Sequence, residues 1–340
     1  MNNITSFMGI FVLLGLAWLI SRNRRNVNWR VIAWGVGLQM LFGFFVFRMN
    51  TGAKIFLMLN DLVVAVVKSA SIGTEFVFGR LALPPGNPDS LGVILACQVF
   101  PAIIFFSALM AVLYYLKVMP VIVKAFARLF TKLMRISGAE SLCAASNIFV
   151  GIESVLSVKP HLEKMTKSEF CTILAAGMAT VASSVMGAYV GMLESEFPNI
   201  AAHLVSASIL SAPAAMVMAK ILVPEDEEPV TLGLNVEVDY KRESGLFEAI
   251  VSGANDGVKL VFGIVGLLIA VLGMVGILNA LLGAAGSKVA QLSGAEMNWS
   301  LEGLLGLIFC PFAIIIGIPV QDALLAGRIM GERVIMTEMV

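Results

Sequence analysis

Ala144-Ala145-Ser146-Asn147-Ile148-Phe149-Val150-Gly151-Ile152-Glu153-Ser154 sets an amide, a carboxylate and hydroxyls inside an apolar run. From 142 to 152 that run is about half a bilayer long at roughly 1.5 Å per residue. Residues 155–160 then lead back to the charge of Lys159. Two short arms meeting near Val150-Gly151-Ile152 fit this pattern better than one crossing, with Gly151 making the tight tip. Backbone groups at such a tip have no lipid partner, so they are buried in protein or face a wet cavity where an ion or solute uses them. Glu153 sits where an unpartnered charge is expensive. The stretch predicts a re-entrant solute site.

The rest of the chain supplies the membrane. Of 340 residues, 59% are hydrophobic and only 14% charged, with mean hydropathy +0.91, a composition foreign to soluble domains. Runs long enough to span occur at 4–20, 31–47, 91–116, 200–223 and 258–282. Interrupted apolar stretches follow Ser141, Ser168, Leu301 and Gln321 and read as broken or re-entrant segments. No basic residue precedes the first run, and Arg22, Arg24 and Arg25 follow it, so it reads as a retained helix with its N-terminus outside. Lys and Arg then concentrate in the inner segments 21–30, 117–170 and 220–259. Arg48, Lys54, Lys68 and Arg80 break the bias in one outer stretch.

Other features carry less chemistry. Cys97, Cys143, Cys171 and Cys310 stand singly in apolar surroundings, without metal-like spacing. His161 and His203 are far apart, and no nucleophile with a base partner is visible, which argues against an enzyme. Zero net charge gives no reason to expect a nucleic-acid partner. The segment 121–136 places Lys124, Arg128, Lys132 and Arg135 at three- and four-residue intervals, as in an amphipathic helix at the inner interface. The acidic stretch from Pro224 to Tyr240 reads as a solvated loop.

Residues 177–189 are apolar enough to span yet carry Ser183 and Ser184 between glycines, and are expected to unwind there. A freed carbonyl and the Ser184 hydroxyl, facing Asn147 and the Val150 carbonyl, would offer oxygen ligands to a hard cation. Small residues that merely let helices approach are the plainer reading of the same pattern. The second half repeats the plan: Ser300 is a candidate N-cap with Glu302 in the first turn, opening a run broken by Pro311, Gly317 and Pro319. Residues 323–340 form a helix too polar to face lipid all round. Interrupted segments at corresponding places in two halves point to a transporter site. A gated channel for small polar solutes is the competing class, expected to show a ring of carboxylates rather than isolated ones.

On residues 147–154, Val158-Lys159-Pro160, 177–189, 208–215 and 331–340, the chain resembles the concentrative nucleoside transporter family, and closely its bacterial permease branch. The likeness implies a cation-coupled symporter importing nucleosides such as uridine, cytidine and adenosine across the bacterial cytoplasmic membrane by alternating access. It implies a homotrimer with one path per protomer. The fold implied is an all-α polytopic membrane protein of about seven transmembrane segments, two re-entrant hairpins, and unwound helices in an inverted-repeat-like arrangement. Its parts divide as 1–136, 137–223, 224–257 (loop and interfacial helix) and 258–340 (scaffold helix, second hairpin and last motif). Carried over, Gly151, Glu153 and Ser154 lie on the nucleobase side, Glu302 and Thr337 on the ribose side, and Asn147, Val150, Ser183 and Ser184 cradle a cation. No cofactor beyond a coupling Na+ or H+ is implied. Where many members have Gly-Gln-Thr-Glu this chain has Gly-Ile-Glu-Ser, a form associated with proton use, whereas Asn147 and Ser184 favour sodium. The last motif, usually Asn-Glu-Phe-Val-Ala, reads Thr337-Glu338-Met339-Val340 without the family's final helix, so a fragment is expected.

Overall fold

The computed structural model describes residues 2–83, 87–92, 94–237, 243–293 and 299–335. Helices α1 (Asn2–Ile20), α2 (Trp29–Arg48), α3 (Asn50–Phe78), α4 (Leu95–Gln98), α5 (Phe100–Tyr115) and α6 (Val118–Met134) lead to the deciding stretch. There α7 (Gly138–Val150) turns at Gly151 into a 3-10 segment, Gly151–Lys164. The chain continues through α8 (Lys167–Ala179), α9 (Ser183–Leu193), α10 (Ile200–Leu222), α11 (Leu246–Ser293), α12 (Leu301–Ile315) and α13 (Val320–Ile335). This is an all-helical polytopic membrane protein, with six helices among the described residues long and apolar enough to cross a bilayer.

Two of those six differ from the apolar runs singled out in the sequence. The stretch read as an outer segment holds α3, so Lys54 and Lys68 ride on a helix rather than in a loop. Residues 167–193 are long enough to cross only when α8 and α9 are taken together across their break. The boundary at 257/258 falls inside α11, whose 48 residues run unbroken, about 72 Å at 1.5 Å per residue.

The chain divides into two compact units, 20–261 and 1–19 with 262–340. In the first, α7 is buried from Gly138 to Ile148, so its start must be satisfied without water. A capping box does this: the Ser137 N–H donates to Glu140 Oε1 at 2.9 Å, and Ser137 Oγ accepts from the Glu140 N–H. Thr166 and Glu169 repeat the device at the start of α8. Glu140 also meets Lys220 Nζ at 2.9 Å, and Lys220 reaches Glu225 at 3.0 Å and Ser168 Oγ at 3.1 Å. The Glu140 and Lys220 side chains are 0% and 5% exposed, so the pair is desolvated and each charge depends on the other.

The segment after α10 is not merely a solvated loop. Thr231 Oγ1 lies 2.7 Å from Ser137 Oγ and accepts from the Ala139 N–H at 3.2 Å, while the Thr231 carbonyl accepts from the Gly138 N–H at 2.8 Å. It is a strap across the start of α7, anchored further back where Asn23 and Asn26 donate to Asp226. Helix α6 is amphipathic as expected, burying Met119, Val123, Ala127, Phe130, Thr131 and Met134 on one face. Close approach of α11 to α5 rests on Gly257, where a Cβ would lie 2.7 Å from the Ile104 Cα. His203 lies in an aromatic nest, stacked on Phe197 and edge-on to Phe56, with centroids 5.1 Å away in both cases.

In the second unit α12 and α13 form a helical hairpin. Pro311 sits within α12 without breaking it; the chain reverses between Ile316 and Pro319, with Gly317 at φ 96°. A Cβ on Gly327 would stand 2.6 Å from the Gly306 carbonyl oxygen, so glycine sets the closeness of this pair. Helix α1 packs on the reversal, Gly9 against the Ile315 carbonyl and Ser6 against Gly317.

Replacing Lys220 with Met strands Glu140 in the core and is expected to destabilise the purified protein by about 3–5 kcal/mol, read from thermal unfolding. Adding Glu140→Gln to Lys220→Met should recover part of that loss. Equal stability of the single variant and the parent would show that the pair is not desolvated in the membrane protein.

Candidate functional site

Helix α7 ends at Gly151, whose φ of 73° and ψ of −150° lie in a region that only glycine adopts readily. A Cβ there would also stand 2.8 Å from the Ala182 Cβ. The tip of the turn is therefore pressed against the gap between α8 and α9. That gap is Thr180-Val181-Ala182, with Thr180 and Ala182 both extended. Unwinding thus occurs three residues earlier than the paired serines, which form the first turn of α9.

The two irregularities satisfy each other. Thr180 Oγ1 lies 3.2 Å from the Asn147 carbonyl and 3.1 Å from the Ala176 carbonyl. The Ser183 hydroxyl donates to the Phe149 carbonyl, and the Gly151 N–H donates to the Asn147 carbonyl. What is left over is the Asn147 side chain. It is 0% exposed, and among the described residues neither its Oδ1 nor its Nδ2 has a hydrogen-bond partner. A buried amide in that state costs about 1–3 kcal/mol per unmatched group, so it calls for a water or an ion. Neutral oxygens of this kind, Asn147 Oδ1 and the free lone pairs of Ser183 and Thr180, suit a hard monovalent cation.

Structure brings Asn147, Gly151 and Ser183 into one cluster, with Val150 at the end of α7 and Ser184 half-buried in the first turn of α9. Glu153 is exposed on the 3-10 segment, with the carboxylate of Asp256 on α11 in electrostatic reach. Ser154 turns the other way: it is buried, and its Oγ lies 3.4 Å from Cys143 Sγ. Thr337 lies outside the described residues, as does the Ile152 side chain.

The second unit holds a separate cluster. Ser300 caps α12, its Oγ accepting from the Gly303 N–H at 3.0 Å. Glu302 in the first turn is gripped by one amide, Asn279 Nδ2 lying 2.9 and 3.1 Å from its two oxygens, with Ser300 and its own backbone N–H also hydrogen-bonding it. Asn279 Oδ1 in turn accepts from the Leu301 N–H at 2.7 Å. The carboxylate is thus held from one side and half-buried, with Arg328 of α13 acting on it electrostatically. Such an acceptor presents its remaining lone pairs to a donor such as a diol.

Residues 8–81 and 203–340 match the N-terminal and C-terminal profiles described as "Na+ dependent nucleoside transporter", and 96–196 match one described as "Nucleoside recognition". The "Uncharacterized transporter YutK" of Bacillus subtilis (strain 168) is 33% identical over all of this chain and 81% of its own length. The chain belongs to the concentrative nucleoside transporter family. Mouse "Solute carrier family 28 member 3" is 35% identical over all of this chain, which spans 46% of the mouse protein. A concentrative transporter structure, CNTnw in an inward-facing substrate-bound state, superposes with TM-score 0.85 at 30% identity over 100% of this chain and 78% of that one.

Two residues of these clusters are not among those the sequence singles out. Asn279 is the lone amide in the apolar run 258–282, a signal strong enough to have flagged it. Thr180 was masked by the more conspicuous paired serines.

Gly151→Ala is expected to destabilise the turn by about 1–3 kcal/mol and to lower solute uptake at least tenfold. Ala182→Gly added to it removes the Cβ overlap but not the backbone strain, so uptake should stay low. Wild-type uptake in the double variant would mean that the overlap, not the dihedral, requires glycine.

Proposed function

We propose that this chain is the transporting core of a secondary active symporter that imports nucleosides of the uridine, cytidine and adenosine type across a cytoplasmic membrane by alternating access, coupled to Na+ or H+. The observation that carries the reading is the buried, unpartnered Asn147 side chain at the junction of two helix breaks. A cation there would satisfy Oδ1 and draw the turn onto the α8–α9 gap, so that cation and substrate favour the same conformation and their fluxes are coupled. The rat relative named "Sodium/nucleoside cotransporter 1", 34% identical over all of this chain, supports a sodium role. Glu153, with a second carboxylate nearby, is the group that would carry a proton instead.

In this reading Asn147, Val150, Ser183 and Ser184 form the cation cradle, to which Thr180 is added. Gly151 and Glu153 face the nucleobase, and Glu302, oriented by Asn279, accepts from the ribose hydroxyls. Ser154 braces the hairpin against Cys143. The hairpins are re-entrant, and three protomers associate, each with its own path.

Radiolabelled uridine uptake into proteoliposomes, driven separately by a sodium gradient and by a pH gradient, tests the proposal. Uptake with neither gradient driving accumulation would remove the symport assignment. If sodium couples, Na+ should raise the thermal midpoint of the parent and not of Asn147→Ala. Asn147→Ala should not lower the midpoint in sodium-free buffer through lost hydrogen bonds, because it has none to lose. Glu302→Gln should raise the apparent KM for uridine about 10- to 100-fold, the value of a hydrogen bond to a charged group. An unchanged KM would take Glu302 out of the substrate site.

A further inference from the structure

In the unit 20–261 an open cleft of about 890 Å³ lies between the start of α2, the end of α6 and the strap. Four cations line it: Arg30, Arg128, Lys132 and Arg135. All four are exposed, and among the described residues none has a carboxylate within ion-pair distance, whereas Lys124 one turn earlier is paired with Glu237 at 3.1 Å. Arg30 Nε donates to the Leu133 carbonyl at 3.1 Å, which fixes its position while leaving its terminal amino groups for another acceptor. Arg128, Lys132 and Arg135 follow at four- and three-residue steps and so share one face.

Two further features point outward from the chain. Arg135 ends α6 with φ 53° and ψ 50°, a left-handed cap that Gly or Asn adopts more readily. Next to these lining residues in sequence stand exposed apolar side chains: Trp29, before Arg30, is 66% exposed and Leu129, after Arg128, 42%, while Leu232 in the cleft wall is 44% exposed. A convergent set of uncompensated cations beside an exposed tryptophan and leucines, on an amphipathic helix, is the pattern of a headgroup site at a membrane surface.

We infer that this cleft binds the headgroup of an anionic phospholipid, its phosphodiester held by Arg30, Arg128, Lys132 and Arg135 and its acyl chains lying along Trp29 and Leu129. The inference needs the membrane setting only and is independent of the transported solute. The cleft wall includes Leu232 and Gly233 of the strap, which neighbour the Thr231 contacts to the start of α7. A bound lipid therefore reinforces the base of the hairpin.

Purified protein in phosphatidylcholine bicelles should gain thermal stability as phosphatidylglycerol is added, with native mass spectrometry showing retained anionic lipid. The variant Arg128→Gln/Lys132→Gln/Arg135→Asn, in which Asn suits the left-handed cap, should need about 100-fold more phosphatidylglycerol for the same shift, the factor supplied by three basic residues near a membrane surface. Should that variant not fold, the exposed Lys132→Gln alone should shift the requirement about fivefold. Glycerol 3-phosphate or inorganic phosphate at matched concentration should leave the parent unchanged. Equal responses of parent and variant would overturn the site, and stabilisation by the soluble phosphates equal to that by the lipid would overturn the lipid assignment.

Discussion

In a hydrocarbon medium a broken helix is tolerable only when something other than water satisfies the backbone groups it frees. The unit 20–261 meets this constraint by setting one break against another. The end of α7 offers the Asn147 and Phe149 carbonyls, and the gap between α8 and α9 supplies the Thr180 and Ser183 hydroxyls. Neither irregularity is sustainable alone. Their pairing requires the backbones to touch, which is why Gly151 faces Ala182 with no room for a Cβ. Once that contact is made, the Asn147 side chain in the α7 core is left without a hydrogen-bond partner among the described residues, which is where the proposed cation would contribute most.

The base and the tip of this hairpin are held in different ways. At the base, the capping box, the strap and the desolvated pair of Glu140 and Lys220 combine charge, hydrogen bonds and complete burial. At the tip, a few hydroxyl-to-carbonyl bonds and one tight van der Waals contact join the two breaks. Breaking the base exposes an unpaired charge, at about 3–5 kcal/mol. Opening the tip loses neutral hydrogen bonds at roughly 1 kcal/mol each. Under the proposed alternating access, motion would belong to the tip, with the base as the fixed end.

Much of this was legible in the sequence for reasons of length. An apolar run half as long as a bilayer, with a glycine at its end, is a hairpin by arithmetic. Ser300 followed by Glu302 is a helix start by local chemistry, and the structure caps α12 there. The errors came where tertiary partners decide. Paired serines between glycines predict the break in 167–193 at Ser183 and Ser184. Ser183 instead directs its hydroxyl to a carbonyl on another segment and stays helical, and the backbone opens at Thr180. The acidic stretch at 224–229 was read as solvated by composition, which carries no information about the buried lysine at 220 that draws Glu225 in. The Ser137-x-x-Glu140 and Thr166-x-x-Glu169 boxes were readable from spacing alone.

The second unit shows how one amide can do the work that an entire second break does in the first. Glu302 opens α12 where unsatisfied N–H groups already favour an anion. Asn279 then fixes the carboxylate through both oxygens while tying down the Leu301 N–H. An unanchored glutamate would spend rotamer freedom whenever it bound a solute, at up to about 2 kcal/mol. Held in advance, Glu302 loses little on binding, and what it gains from a donor pair goes into affinity. The two clusters thus differ in kind: the first holds an unsatisfied amide, the second a carboxylate satisfied in advance. Under the proposed function, cation dependence would follow from the first arrangement and selectivity for a hydroxyl-bearing solute from the second.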